Sequence, residues 1–180
     1  MDKMALFSDA SLNPTLNTGF GSYVLVPQRH IEEQSYEVIR ENVKIKRFET
    51  SSSTELEMLT LLWALEECEK IFNVSDVCSN LTIYTDSQCI AGLPRRREKL
   101  ERSEFTSRAC NRALNNAPLY RRFYSYSDNI GFDVIKLKGH SKSVTKDALH
   151  KIFSYVDKAS RKALRMYMGK NSIRTKNTPT

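Results

Sequence analysis

Four acidic residues stand where chemistry could be done. Asp9 ends the apolar run "MALFSDA", and Asp86 ends "LTIYTD". Glu55 opens a long apolar stretch, "TELEMLTLLWALEECEKIF", and Asp157 sits within "YVDKASRKALR". A carboxylate buried without a partner is costly, so each of these acids must meet solvent or a cation. If the four converge, their mutual repulsion calls for hard divalent ions with oxygen ligands. Mg²⁺ in particular binds through a few carboxylates plus substrate phosphate. Two such ions about 3.5–4 Å apart can clamp the attacking and leaving oxygens of a phosphodiester. One helps to generate hydroxide from water, and the other stabilises the leaving 3′-oxygen.

Each acid also has an ordinary reading. Asp86 can cap the helix that follows it. Asp9 can organise a turn with Ser11. Glu55 can favour the dipole of the helix it opens. Asp157 can pair with Lys158 or Arg161 on a wet face. These readings explain each acid singly but not why two strands both end on one.

The elements that would position the acids follow from periodicity. Residues 4–10 read as a first strand, followed by the turn "SLNPTLNTG". "FGSYVLVP" and "SYEVIRENVKIKRF" read as a second and third strand of an antiparallel meander. The stretch from 55 to 72 changes to helical period, with Ser51, Ser52, Ser53 and Thr54 as cap candidates. "NLTIYTD" is a fourth strand. "SQCIAGL" begins a helix that Gly92 and Pro94 interrupt, "RRREKLERSEFTSRACNRAL" is a charged helix, and "PLYRRFYSYSD" is a short helical piece. "GFDVIKLKGH" is a fifth strand, and a loop then leads into a last helix with Leu149, Ile152, Phe153 and Val156 on its apolar side. The order β-β-β-α-β-α-β-α predicts an α/β fold, a five-stranded mixed sheet flanked by helices. A crossover helix sets strands one and four side by side and parallel, so Asp9 and Asp86 should be neighbours. The crevice beyond such strand ends is where open α/β sheets bind ligands.

The chain of 180 residues suits one domain, expected over 1–168, with a polar tail over 169–180. No apolar run reaches membrane-spanning length, and no signal-peptide layout opens the chain. The four cysteines match no zinc spacing, so reduced thiols in a cytoplasmic setting are expected. Charge is split along the chain. Residues 1–94 carry 7 Lys/Arg against 14 Asp/Glu, and residues 95–180 carry 21 against 7. Such asymmetry suggests a polyanion held by the second half, although a solvated basic face accounts for it equally.

At this point the residues resemble a known family, the ribonucleases H. "FSDASLNP", "TSSSTELEMLTLLWALE", "IYTDSQCIAGL", "IKLKGHSK" and "YVDKASRKALR" resemble its motifs, in order, from about residue 4 to 168. The resemblance implies a ribonuclease H-like fold and hydrolysis of RNA in RNA–DNA hybrids with two Mg²⁺ or Mn²⁺ ions. It implies that Asp9, Glu55, Asp86 and Asp157 hold the ions, and that His140 shuttles a proton or assists product release, a task suited to a near-neutral pKa. It makes Gln88 a substrate contact, Asn13 a candidate near the first strand, and Ser51 and Ser52 the stand-ins for a pair of asparagines that touch RNA 2′-hydroxyls. Arg95, Arg96 and Arg97 open a basic segment running to Arg122, in the place of the family's protrusion that grips the DNA strand. Glu–Arg pairs at helical spacing are the alternative for that segment.

The chain departs from the pattern at Ala10, where the family usually has glycine, and at Ser51 and Ser52. The 2′-OH distinguishes RNA from DNA, so these serines bear on hybrid specificity. The expected protein is a monomer that binds nucleic acid and no membrane. Its alternatives are a nuclease of the same fold acting on other duplexes or structured DNA, and a non-catalytic nucleic-acid-binding module.

Overall fold

In a computed structural model of the chain, the described residues are 3–71, 80–107, 109, 111–137 and 144–176, with 144–147 and 171–176 described as backbone only. Strand Thr18–Pro27 (β2) runs antiparallel to both its neighbours, Met4–Asn13 (β1) and Lys44–Glu49 (β3). Strands Leu81–Thr85 (β4) and Phe132–Lys136 run parallel to β1, and together they make a five-stranded mixed sheet. Its spatial order is β3, β2, β1, β4 and then Phe132–Lys136.

One sheet face carries the helices Ser53–Ile71, Gln88–Arg102 and Ala117–Ile130. Leu6, Ile83, Leu61, Leu93 and Phe123 close the core there. The other face carries the last helix, Val144–Lys176, on a core of Phe7, Val24, Ile152 and Val156. Alternation along β1 follows from this division: Leu6 points to the first core, and Ala5 and Phe7 to the second.

Three segments differ from the sequence expectation. "SYEVIRENVKIKRF" is not one strand. Two short helices, Gln28–Glu32 (α1) and Tyr36–Glu41 (α2), stand between β2 and β3. Ile31 and Ile39 are buried with Ile152 and Val156, so packing on the last helix overrides the strand propensity. The helix Ser53–Ile71 is α3. Gln88–Arg102 (α4) passes unbroken through Gly92 and Pro94, because Ile90, Leu93 and Leu100 are buried along it and the Tyr124 hydroxyl donates to the Leu93 carbonyl at 2.9 Å.

The charged segment after α4 is not a helix to its end. Glu104 and Phe105 take left-handed φ values of 51° and 59°, which turn the chain and drop Phe105 into the core. A short hairpin follows, Thr106–Ser107 (β5) with Arg112–Ala113 (β6). Ala117–Ile130 (α5) is then a full helix. Phe132–Lys136 is β7 and Val144–Lys176 is α6, which continues past residue 168, where the domain was expected to end.

The long helix α3 lies close to β2 because that strand offers two glycines. A Cβ on Gly21 would stand 2.0 Å from the Thr60 hydroxyl, and one on Gly19 would stand 2.3 Å from Leu56. Gly92 inside α4 has no such neighbour: its nearest is the flexible Arg96 side chain, 3.7 Å away. The two glycines should therefore respond oppositely to alanine. Gly21→Ala is expected to cost about 1–3 kcal/mol by overpacking. Gly92→Ala is expected to gain up to about 1 kcal/mol from helix propensity. Urea denaturation checks both, and equal effects would refute the close-approach account.

Candidate functional site

The parallel register of β1 and β4 builds the site. Phe7 pairs with Tyr84, so Asp9 and Asp86, each two residues further on, stand level. Asp9 is not at a strand end as expected. β1 runs on to Asn13 against β2, while β4 stops at Thr85, and the step between the two strands leaves a narrow recess. Asp9, Asp86, Glu57, Ser8, Thr85 and Ser87 line it.

α6 brings the last acid. Ser160, fully buried, donates its hydroxyl to Asp9 Oδ2 at 2.9 Å. Ser22, the cross-strand partner of Asp9, donates to the Val156 carbonyl at 2.7 Å. These two hydroxyls fix α6 along its axis and hold Asp157 near Asp9. Asp157 itself pairs with Arg161, one helical turn on, at 2.7 Å.

Burial, and then the charges of Asp86 and Asp157, raise the Asp9 carboxyl to about 6, against the opposing pull of the Ser160 hydrogen bond. The charges of Asp86 and Asp157 thus both reach Asp9.

Glu55 behaves differently. It lies in the first turn of α3, where its amide donates to the Ser52 hydroxyl at 3.3 Å and its carboxylate accepts from the Thr50 hydroxyl at 2.5 Å. This arrangement resembles a capping box, and it occupies the side chain at the helix end. Glu57 takes the place in the recess instead, accepting a hydrogen bond from the Ser87 hydroxyl at 2.5 Å. Two sequence signals pointed this way. Ser52-x-x-Glu55 has the spacing of a capping box, and Glu57 is a charged residue between Leu56 and Met58, both in the core.

Ser87, not Asp86, caps α4: its side chain accepts from the Ile90 amide at 3.3 Å. The helix-cap reading of Asp86 falls away, and the exposed Asp86 carboxylate faces the recess.

The candidate substrate contacts scatter. Asn13 organises the turn after β1, its Oδ1 accepting from the Leu16 amide at 3.1 Å. Ser51 is exposed beside Ser52 at the start of α3. Gln88, in the first turn of α4, bonds Lys136. Arg95 and Arg96 are exposed on α4. Arg97 is committed within the fold, with bidentate bonds to Asp128 at 2.6 and 2.8 Å and one to Glu101 at 2.8 Å. Arg102 likewise pairs with Glu98. The charged-pair alternative thus holds for part of the basic segment. His140 and Arg108 lie outside the described residues.

The donor set suits a divalent cation by type and charge, being oxygen throughout with excess negative charge around Asp9. Among the described residues, no three ligating side chains are drawn into a closed set. Glu57 is turned to Ser87 and Asp157 to Arg161. Among the described residues, too, no helix is long and apolar enough to cross a membrane.

No protein-family model matches the sequence, and no curated protein does. Solved structures match in three dimensions. The foamy viral protease-reverse transcriptase in complex with dsDNA aligns with a TM-score of 0.61 at 11% identity, covering 88% of this chain and 94% of that one. The same protease-reverse transcriptase in complex with RNA/DNA hybrid aligns at 0.59 and 9% identity, over 88% of this chain and 20% of that one. LC11-RNase H1 in complex with RNA/DNA hybrid aligns at 0.52 and 10% identity, over 87% of this chain and 99% of that one. The chain has a ribonuclease H-like fold, with the mixed sheet and flanking helices that the motifs imply.

The charge cluster has a measurable cost. Because the folded-state pKa of Asp9, about 6, lies above its ordinary 3.8, the folded protein holds a proton between those values that the unfolded chain releases. Stability therefore falls as pH rises through that window, and the penalty is complete above it. Without divalent ions, Asp9→Asn should stabilise the protein by about 1–3 kcal/mol above pH 7, with the gain shrinking towards zero near pH 4. Thermal unfolding across this range checks it, and a gain independent of pH would overturn the assignment.

Proposed function

We propose that this protein is a metal-dependent endonuclease that hydrolyses the RNA strand of RNA–DNA hybrids. The observation that carries the reading is the register that sets Asp9 level with Asp86, with Glu57 in the same recess and Asp157 held beside Asp9 by α6. Similarity in fold to proteins solved with RNA/DNA hybrid supports the substrate class. Free Cys68 and Cys89 fit a reducing, cytoplasmic setting.

Asp9, Glu57, Asp86 and Asp157 would hold the Mg²⁺ or Mn²⁺ ions. Such ions supply an activated water and neutralise charge on the leaving oxygen. The protein's own part is positional. Ser160 holds one oxygen of Asp9, which lines the recess. Ser87 holds Glu57 and caps α4 with the same hydroxyl, so the start of that helix and the acid on α3 are tied together. Gln88 then projects from the first turn of α4 beside the recess, where it can meet the strand. His140, which follows β7 and precedes α6 in the sequence, would assist proton movement or product release.

Cleavage of labelled hybrid, double-stranded RNA and double-stranded DNA, with Mg²⁺ or with chelator, tests the proposal. Metal-dependent cutting of the hybrid alone is expected. Cutting only another duplex would move the substrate elsewhere, and binding without cutting would leave a non-catalytic module. Asp86→Asn and Glu57→Gln are each expected to lower the rate by about 100-fold or more, since removing a metal ligand removes stabilisation made in the transition state. Glu55→Gln should stay within about threefold in rate and instead lose about 1 kcal/mol of stability as a weakened cap. The reverse ranking of Glu55 and Glu57 would sink the assignment of the recess.

A further inference from the structure

Past the first turn of α4 the recess gives way to a wider groove between α4 and β7. Gly92 and Val134 lie in its floor, and Gln88, Arg95, Arg96 and Lys136 stand around it. Val134 and Lys136 share a strand face because they are two residues apart, so apolar floor and cationic rim come from one alternation. Among the described residues, three cations line the groove and no carboxylate does.

The neighbouring arginines are otherwise engaged: Arg97 with Asp128 and Glu101, Arg102 with Glu98, and Arg121 over the Phe105 ring at 4.6 Å. Arg95 and Arg96 are exposed, Arg96 resting over the Tyr120 ring at 5.9 Å, a contact that does not neutralise it, and the Lys136 ammonium bonds the neutral Gln88 amide, which leaves its charge uncancelled by that contact. From Gln88 to Arg95 the helix rises about 10 Å, the axial rise of about three stacked nucleotides.

An apolar floor under an unopposed cationic rim suits a sugar–phosphate backbone, with sugars on the floor and phosphates at the rim. Gln88 lines the groove and Ser87, next to it in the chain, lines the recess, so the two adjoin at the start of α4. We infer that Arg95, Arg96 and Lys136 hold the backbone of the same strand whose phosphodiester enters the recess, rather than that of its complement. This rests on the nuclease reading and assigns the arginines to the cut strand.

Binding with chelator present tests it, by fluorescence anisotropy, on hybrids whose methylphosphonate linkages neutralise one strand only. The proteins are wild type, Arg95→Ala/Lys136→Ala and, as a control off the groove, Arg40→Ala on the exposed side of α2. On the unmodified hybrid the double variant should bind about tenfold more weakly, and its log affinity should fall less steeply with log salt by about one to two. Neutralising the RNA strand should cost wild type and Arg40→Ala at least about fivefold more than it costs the double variant, as expected for coupled groups. Neutralising the DNA strand should cost all three alike.

Coupling to the DNA strand instead would overturn the inference. So would unchanged affinity in the double variant, or an equal loss of binding to polyglutamate, which would mark a general anion surface. Wild-type cleavage is scored separately. A wild type that cuts while the double variant binds normally fails only this inference, and a wild type that does not cut fails the nuclease reading.

Discussion

The pairing of Phe7 with Tyr84 governs most of what is notable here. Parallel strands advance together, so this register leaves no freedom in where Asp9 and Asp86 lie relative to each other. A slip of one residue would turn one carboxylate to the opposite face of the sheet. The stacked rings of Phe7 and Tyr84, with centroids 4.9 Å apart, lie in the α6-side core one step before the acids. The last apolar contact between the strands thus sits directly behind the charged site. β4 can end there only because α4 begins at once, capped by Ser87, and so opens the recess instead of extending the sheet.

Bringing acids together works against folding, and the structure offsets that cost with hydroxyl groups rather than with buried cations. Ser160 bonds Asp9, Ser87 bonds Glu57 and Thr50 bonds Glu55. Hydroxyls satisfy a carboxylate oxygen without cancelling its charge. Asp9 accordingly remains electrostatically unsatisfied, with its pKa raised. Such a site is poised to accept positive charge from outside, at the expense of stability when none arrives.

Much of this was legible in the residues. The alternating runs of β1, β2 and β4 and the apolar breadth of α3 announce themselves, because each buries side chains at the period of its own backbone. From them came the neighbouring of Asp9 and Asp86. The rest depended on contacts that no local window contains. α1 and α2 are helices because Ile31 and Ile39 find Ile152 and Val156 more than a hundred residues away. Phe105 turns the chain because a pocket waits for it, not because its neighbours favour a left-handed bend. The exchange of Glu55 for Glu57 has the same origin. Both lie early in α3, and the placing of Glu57 in the recess depends on Ser87, thirty residues further along the chain.

The hydrogen bonds from Ser22 to Val156 and from Ser160 to Asp9 span 134 and 151 residues. They join the second strand and the first to the final helix, and so close nearly the whole chain into a loop. Contacts of that separation raise the contact order, which slows folding, and their closure entropy grows only slowly with the length of chain enclosed. A chain emerging during synthesis can therefore assemble its meander and its first core with Asp9 and Asp86 already abreast, yet lack the element that supplies the fourth acid and steadies the first. The charged centre is thus joined from parts of the chain that lie far apart in sequence.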